Sequence, residues 1–535
     1  MTTGAAWHQV FEERRRPLER SVAAYLPTRR WFGGKARTVA GARIIERLTL
    51  PGSSCLLTLV SVRYEDGGRE TYVLPLACAS GEGAAEIERA APEAIVARSR
   101  SEILYDAVYD PSFGPRLVEA IARRRPMVGR SGIARSSATP LLARLWRGGE
   151  AARGCLLGAE QSNSSIRIGD RVLLKLIRKA ESGVNPELEI GRFLARRHSV
   201  ARVPPLAGAL EYHREGRREP ATLLIVQGFV SNQADGWSYT LDSLRGFLDG
   251  ILKGRRLEAP PATAGILELS AREPSTQARD SIGDYLRAIE LLGRRTAELH
   301  LALGGPSRAP SFAPEPWSSA YRRSLEKSLR TLTVRVFRQL RERVSRLPSN
   351  VGSDVASLLA CEAQLLGRFR SMGERELSGR RIRGHGDFHL GQVLKVGEDF
   401  VIIDFEGEPA RSIRERRVKH SPLRDVAGML RSFHYAAAIA GQGASTAAAA
   451  PEDLSRLESA ARFWRLTSSA AFLRAYLSAV SPGRLLPRSH EELSFLLDAL
   501  TLEKAIYELG YELNHRPAWI GIPAQAVLET IGGVK

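Results

Sequence analysis

The chain has 535 residues, 43% hydrophobic and 26% charged, which is ample material for several packed units and excludes wholesale disorder. No run of about 18 apolar residues appears, so no membrane-spanning helix is expected, and the opening Met1–His8 lacks the basic-then-apolar pattern of a secretory leader. Cys55, Cys78, Cys155 and Cys361 are too scattered for a disulfide framework or a thiolate zinc site, which fits a reducing cytoplasm. The net charge of +19 comes almost wholly from arginine, since only nine lysines are present. The arginines are spread along the chain without interleaved aromatics. They read as solvated helix faces and predict neither a nucleic-acid groove nor a membrane partner.

In chain order, a helical segment ends at Leu26-Pro27 and at the paired glycines Gly33-Gly34. Strand-like runs follow at 42–50, 55–64 and 70–78, the last two joined by the hairpin signal Asp66-Gly67-Gly68. Helical periodicity is expected over 86–121, and the polar stretch 123–139 reads as the boundary of a small α+β unit covering residues 1–125. Short strands are expected at 153–160, 165–168, 172–177 and 222–230, with a helix over 187–197 started by Pro186. Residues 126–230 thus form a small sheet carrying one helix. Residues 231–535 are mostly helical: 282–303, 319–347, 355–372, 423–440, 453–480 and 490–514 show apolar residues at i, i+3 and i+4. Strands at 392–395 and 400–404 interrupt them, and 257–281 and 441–451 read as loops.

One constellation carries chemistry: Arg383-Gly384-His385-Gly386-Asp387-Phe388-His389-Leu390-Gly391-Gln392, then Ile402-Ile403-Asp404-Phe405-Glu406-Gly407-Glu408. Phosphoryl transfer needs a carboxylate on the acceptor hydroxyl, oxygen ligands for magnesium and a cation on the donor phosphates. Asp387 followed by Gln392, with Asp404 at the end of an apolar strand, supplies the first two in the kinase order. His385-Gly386-Asp387 stands where protein kinases have His-Arg-Asp, and Gln392 replaces their Asn. The glycines around His385 and His389 argue against the helix that a zinc pair at this spacing would need.

A kinase reading demands an upstream lysine on a strand, and Lys175 in Val172–Ile177 meets it. The turn of Gln161, Ser162, Asn163 and Ser164 would cover the donor phosphates. Glu187 and Glu189 are both candidates to pair with Lys175, and Glu189 is favoured. Gln227, Phe229 and Val230 stand where an adenine-binding hinge belongs. On the last predicted helix Lys504, Tyr507 and Tyr511 share one face, with Glu508 alongside, an arrangement suited to stacking on a sugar and binding its hydroxyls.

Together these blocks resemble the bacterial maltokinases. The resemblance rests on Arg29–Lys35, Glu160–Ser165, Gly183–Glu189, Asp235–Trp237, Leu292–His300, His385–Gln392, Ile403–Pro409, Ser421–Phe433 and Glu503–Leu509. It implies an α+β, bilobal protein-kinase-like fold, with a small β-rich N-lobe, a large helical C-lobe and an added N-terminal α+β cap. It implies transfer from ATP, with Mg2+, to maltose, giving α-maltose 1-phosphate for α-glucan synthesis from trehalose, and a monomer functionally associated with trehalose synthase. By motif, Asp387 would be the base, Gln392 and Asp404 the magnesium ligands, and Lys175 the phosphate-holding cation. His385, Glu406, Lys504, Tyr507, Glu508, Tyr511 and Arg516 would meet the sugar. Two other readings stay open: another sugar or amino-sugar kinase, such as a glucosamine kinase, and a catalytically weak sugar- or nucleotide-binding regulatory module.

Overall fold

The computed structural model describes residues 15–99, 102–146, 152–158, 162–197, 201–257, 265–347, 352–445 and 451–532. They divide into two compact units, one built from residues up to 198 with 204–231 and 409–416, the other from 199–203, 232–408 and 417 onward.

The first unit holds two antiparallel sheets. Strands β1 (Val39–Thr49), β2 (Leu56–Tyr64), β3 (Arg69–Ser80), β4 (Ile95–Arg98) and β5 (Glu102–Asp106) form one, in the order β1-β2-β3-β5-β4. Helix α1 (Arg15–Tyr25) buries Leu18, Val22 and Tyr25 against its outer face. The β2–β3 turn follows its sequence signal: Gly67 has φ +83°, and Arg37 closes the turn with a forked contact to Asp66 (2.8 and 2.6 Å). The expected helix over 86–121 is corrected. Helices Gly81–Ala90 and Phe113–Ala122 flank β4 and β5, because Val96 and Leu104 bury their side chains on one face of the sheet and Ile103 and Tyr105 on the other.

The second sheet has seven strands: β6 (Met127–Val128), β7 (Gly132–Ala138), β8 (Gly154–Leu157), β9 (Ser164–Ile168), β10 (Val172–Leu176), β11 (Leu206–Arg214) and β12 (Ala221–Gly228). The polar stretch 123–139 therefore carries two strands of this sheet. One continuous core, including Leu48, Leu57, Val73, Leu174, Leu210 and Val226, joins both sheets. The chain leaving β10 also pairs with β3: Val73 N donates to Arg178 O (2.7 Å) and Ala180 N to Thr71 O (2.9 Å).

Arg178 is the largest polar group in this junction and is fully buried. Its Nη2 donates to Asp106 Oδ2 (2.7 Å), its Nη1 to Val73 O (3.3 Å) and its Nε to Ser164 Oγ (2.8 Å), while its guanidinium lies 4.2 Å from the Trp31 ring centre. Trp31 belongs to the Arg29–Lys35 motif, and its neighbour Phe32 packs on Tyr64 and Tyr72.

The second unit is helical around a three-stranded sheet of β13 (Ala234–Asp235), β14 (Val393–Val396) and β15 (Asp399–Ile402). Its principal helices are α3 (Gly236–Leu252), α4 (Asp284–Gly304), α5 (Ser319–Arg343), α6 (Leu423–Ser445), α7 (Pro451–Val480), α8 (His490–His515) and α9 (Gly521–Gly532). The expected loop 257–281 contains two short helices, Ile266–Ser270 and Thr276–Ile282, the second capped by Ser275 Oγ. At Gly293 α4 and α7 approach so closely that a Cβ would stand 2.4 Å from Phe472 O. No described helix is long and apolar enough to cross a membrane.

Replacing Arg178 with Met strands Asp106 as a buried, unpaired carboxylate, a defect worth about 3–5 kcal/mol. Denaturant unfolding of Arg178→Met is expected to show a loss in that range, and Arg178→Met with Asp106→Asn should recover most of it.

Candidate functional site

In the first unit the site is built on β10 and on helix α2 (Pro186–Arg196). Lys175 stands at the fourth position of a five-residue apolar strand and is only 5% exposed, so its charge demands a partner. Asn185 caps α2 through Glu187 N (2.8 Å) with Pro186 behind it, which orients the first turn toward the strand. Lys175 Nζ then donates to Glu187 Oε2 (2.8 Å), and Gln227 Nε2 donates to Glu187 Oε1 (3.0 Å). The expectation of Glu189 as the partner is corrected. Two residues further on, Glu189 is turned about 200° around the helix axis from the side on which Glu187 meets Lys175.

Gln227 consequently holds the carboxylate of the ion pair, a contribution that the sequence does not display because it depends on β12 lying beside β10. Phe229 and Val230 follow β12 as half-buried residues, with Arg167 5.5 Å from the Phe229 ring centre. Among the turn residues, Gln161 lies outside the described residues. Ser162 is exposed, but Asn163 and Ser164 are buried with their side chains turned to Arg178: Asn163 Oδ1 accepts from Arg178 N (3.1 Å) and Ser164 Oγ from Arg178 Nε. Their side chains support the turn instead of pointing outward from it as donors.

In the second unit the segment 383–392 is hung from one carboxylate. Asp425, near the start of α6, accepts from His385 N (2.7 Å) and Gly386 N (2.9 Å). Its Oδ2 also bonds His300 Nε2 of α4 (3.1 Å), whose Nδ1 meets Tyr476 OH of α7 (2.9 Å). Burial works to raise the Asp425 pKa. The His300 hydrogen bond, the nearby His385 and the backbone donors outweigh it and bring the carboxyl down to about 2. The sequence signal for this group was a lone acid inside the apolar stretch that becomes α6.

His385 is buried with both ring nitrogens engaged. Nε2 donates to Ile403 O (2.8 Å) and Nδ1 accepts from Asp387 N (3.4 Å). The expected sugar contact from His385 is therefore corrected: the ring ties the loop to the end of β15. Beyond that strand Asp404 takes φ +63°, an unusual conformation for a non-glycine and one typical of strained functional positions. Gln392 Nε2 donates to Asp404 Oδ2 (3.1 Å), and a carboxylate oxygen of the buried Glu406 lies within 4.8 Å of one of Asp404.

Asp387 is met from α8. Lys504 Nζ donates to Asp387 Oδ1 (3.1 Å), lies 3.4 Å from Glu408 Oε1, and is 5.1 Å from the Tyr507 ring centre. Burial pushes the Asp387 pKa up, but the positive Lys504, with His389 and His385, overrides it and holds the carboxyl below its ordinary value. Lys504 is raised in turn by Asp387 and Glu408 against its own burial, so the lysine is a fixed cation. Further along α8, Glu508 Oε2 accepts from Arg431 Nε (2.8 Å), and burial raises the Glu508 pKa more than Arg431 and Lys504 lower it. Tyr511 is 41% exposed, and Arg516 is forked onto Glu512 (2.9 and 2.7 Å) beside the Tyr511 and Trp519 rings. Arg431 lies within the Ser421–Phe433 block, where the sequence assigns it no role. Its contact appears only once α6 and α8 pack together.

Asp425→Asn is expected to lower any turnover about tenfold or more and to speed amide exchange at His385 and Gly386, since charge-assisted hydrogen bonds to both are lost. The folded Asp425 pKa lies below the unfolded one, so its stabilisation is complete above about pH 4 and is lost toward pH 2. The stability gap between the two proteins should close over that interval.

Comparison with known proteins adds three findings. Residues 25–110 match the family model of the maltokinase N-terminal cap domain. Two glucosamine kinases are similar in sequence. That of Mycolicibacterium smegmatis is 24% identical over 375 residues, covering 69% of this chain and 77% of that one, and that of Streptacidiphilus jiangxiensis is 23% identical over 371 residues, covering 68% and 70%. A solved glucosamine kinase in complex with glucosamine, ADP and inorganic phosphate superposes with a TM-score of 0.58 at 19% identity, covering 95% of this chain and 98% of that one. Residues 25–110 thus match a maltokinase-type N-terminal cap, and the chain shares the fold of the solved glucosamine kinase.

Proposed function

We propose that the protein transfers the terminal phosphoryl group of ATP to a sugar hydroxyl, with maltose as the acceptor and its anomeric hydroxyl as the nucleophile. The observation that carries this reading is Asp387, held ionised by Lys504, with Asp404 of the Gln392–Asp404 pair also close enough to act on the neighbouring His389. In the reaction the acceptor oxygen forms a bond to the γ-phosphorus as the bond to the β,γ-bridging oxygen breaks. ADP leaves, and the acceptor proton passes to Asp387 Oδ. A carboxylate of low pKa is a weak base, but it is fully ionised and accepts a hydrogen bond from the hydroxyl. That suits a loose transition state in which orientation outweighs proton removal.

Lys175, pinned by Glu187, is assigned to the donor phosphates. Gln392 and Asp404, with Glu406 close by, present an amide and two carboxylate groups, the oxygen-rich set that a hard divalent cation prefers. Mg2+ held there would neutralise charge on the phosphates. ATP as donor is supported by the ADP in the solved glucosamine kinase.

Maltose is favoured by the cap match at 25–110 and by the fixed Lys504 cation on the base, which disfavours an ammonium group on the acceptor. The half-buried Tyr507 and exposed Tyr511 continue from Lys504 along α8 as surfaces for a second sugar ring. A second reading, glucosamine as acceptor, is supported by the two similar glucosamine kinases and by the Glu408 and Glu508 carboxylates near Lys504.

The test is ADP formation with ATP, Mg2+ and, in turn, maltose, glucose, glucosamine and an aminoglycoside. Maltose should give the highest kcat/KM. Turnover of glucosamine with maltose inert would transfer the assignment to the second reading. Asp387→Asn should lower kcat by about a hundredfold or more with ATP affinity nearly unchanged, and retention of more than about a tenth of the activity would remove Asp387 as the base.

A further inference from the structure

Within the first unit a cavity of about 240 Å³ lies where the two sheets meet. Its floor is apolar, from Ile45 of β1, Leu59 of β2, Ala180 and Ala221. Hydroxyl groups of Thr71, Ser131, Ser182 and Tyr212 interrupt that surface. The exposed Arg214 and Arg217, at the tip of the β11–β12 hairpin, line its rim with Glu219.

The charges sort themselves by commitment. Glu46, though it lines the cavity, is saturated: it accepts from Arg130 N (2.7 Å), Ser131 N (2.8 Å), Arg47 N (2.9 Å) and Tyr212 OH (2.6 Å). Glu181 is paired with Arg416 (2.5 Å). Among the described residues, the side chains of Arg214, Arg217 and Glu219 have no hydrogen-bond or ion-pair partner. What remains is two guanidiniums, one carboxylate, the hydroxyls of Thr71 and Ser131 and a small apolar floor. Guanidinium pairs favour phosphate or carboxylate, and hydroxyls beside an apolar patch favour the two faces of a sugar ring. The volume is below the roughly 300–1,000 Å³ of pockets for drug-sized ligands, so the occupant is of single-ring size, too small for a nucleotide or a disaccharide.

We propose that this cavity binds a phosphorylated monosaccharide, its phosphate on Arg214 and Arg217 and its ring against the β1–β2 floor. The wall formed by Ala180, Glu181 and Ser182 belongs to the segment that joins the Lys175 strand to the Glu187 helix. An occupant there bridges β1–β3 to that segment and restrains the Lys175–Glu187 pair. The inference stands apart from the identity of the acceptor sugar, since no residue of the second unit enters it.

The experiment titrates the full chain calorimetrically with glucose 6-phosphate, glucose 1-phosphate, glucose and inorganic phosphate, and follows amide exchange over residues 179–186. One of the two hexose phosphates should bind about tenfold or more tightly than glucose or phosphate alone and should protect that segment. Arg214→Glu with Arg217→Glu should weaken binding by about tenfold or more while leaving ADP formation in the absence of hexose phosphate unchanged. Ser182→Trp, which fills the cavity from an exposed position, should abolish binding, and Asp387→Asn should leave it intact. No binding by the intact chain, binding that survives both cavity variants, or binding lost in Asp387→Asn would each overturn the proposal. Activity of the cavity variants on sugars reads the proposed function separately.

Discussion

A lysine on α8 governs the charge of Asp387. Without Lys504, partial burial would raise the Asp387 carboxyl with only His389 and His385 to oppose it. With Nζ at 3.1 Å it is ionised, and the lysine is equally bound to stay charged. The pair needs α8 to be held in place, and Arg424 does part of this by donating to Glu503, the residue before Lys504, at 2.5 Å. One residue along α6, Asp425 grips the backbone of His385 and Gly386. Two successive side chains of one helix thus fix both the acid-bearing loop and the helix that sets its charge.

The first unit repeats the pattern with the signs exchanged. Lys175 is a buried cation whose carboxylate, Glu187, is oriented by an N-cap at Asn185 and a hydrogen bond from Gln227. Arg178, three residues beyond Lys175, joins the turn residues Asn163 and Ser164 to Asp106, Val73 and Trp31. Since buried ion pairs contribute little net stability but are costly to break, these contacts serve to fix position.

What could be read from the sequence was local. The Asp387, Gln392 and Asp404 spacing is set by a short turn and a hairpin, so the order of residues along the chain suffices to place the carboxylates and the amide. Lys175 stood out as a charge in an apolar strand, and Lys504, Tyr507 and Tyr511 as one helix face. Choices that depend on how elements pack were not legible. Glu187 and Glu189 differ only by rotation about α2, and β12 decides between them. His385 is expected at the sugar, yet its ring is consumed by Ile403 O and Asp387 N. Strands β4 and β5 are short, and their few apolar residues fall at spacings that a helix also gives.

The pH dependence of kcat/KM, compared between the intact protein and Lys504→Met, bears most directly on the claim that Lys504 sets the charge of Asp387. With the lysine present, Asp387 titrates below the ordinary carboxylate value, so the profile should stay level from neutral pH down to about 5. With Met in its place burial is opposed only by His389 and His385, the carboxyl titrates higher than in the intact protein, and the acid limb should move up toward that range, while Lys504→Arg keeps the level profile. Identical acid behaviour in the intact protein and Lys504→Met would contradict the account.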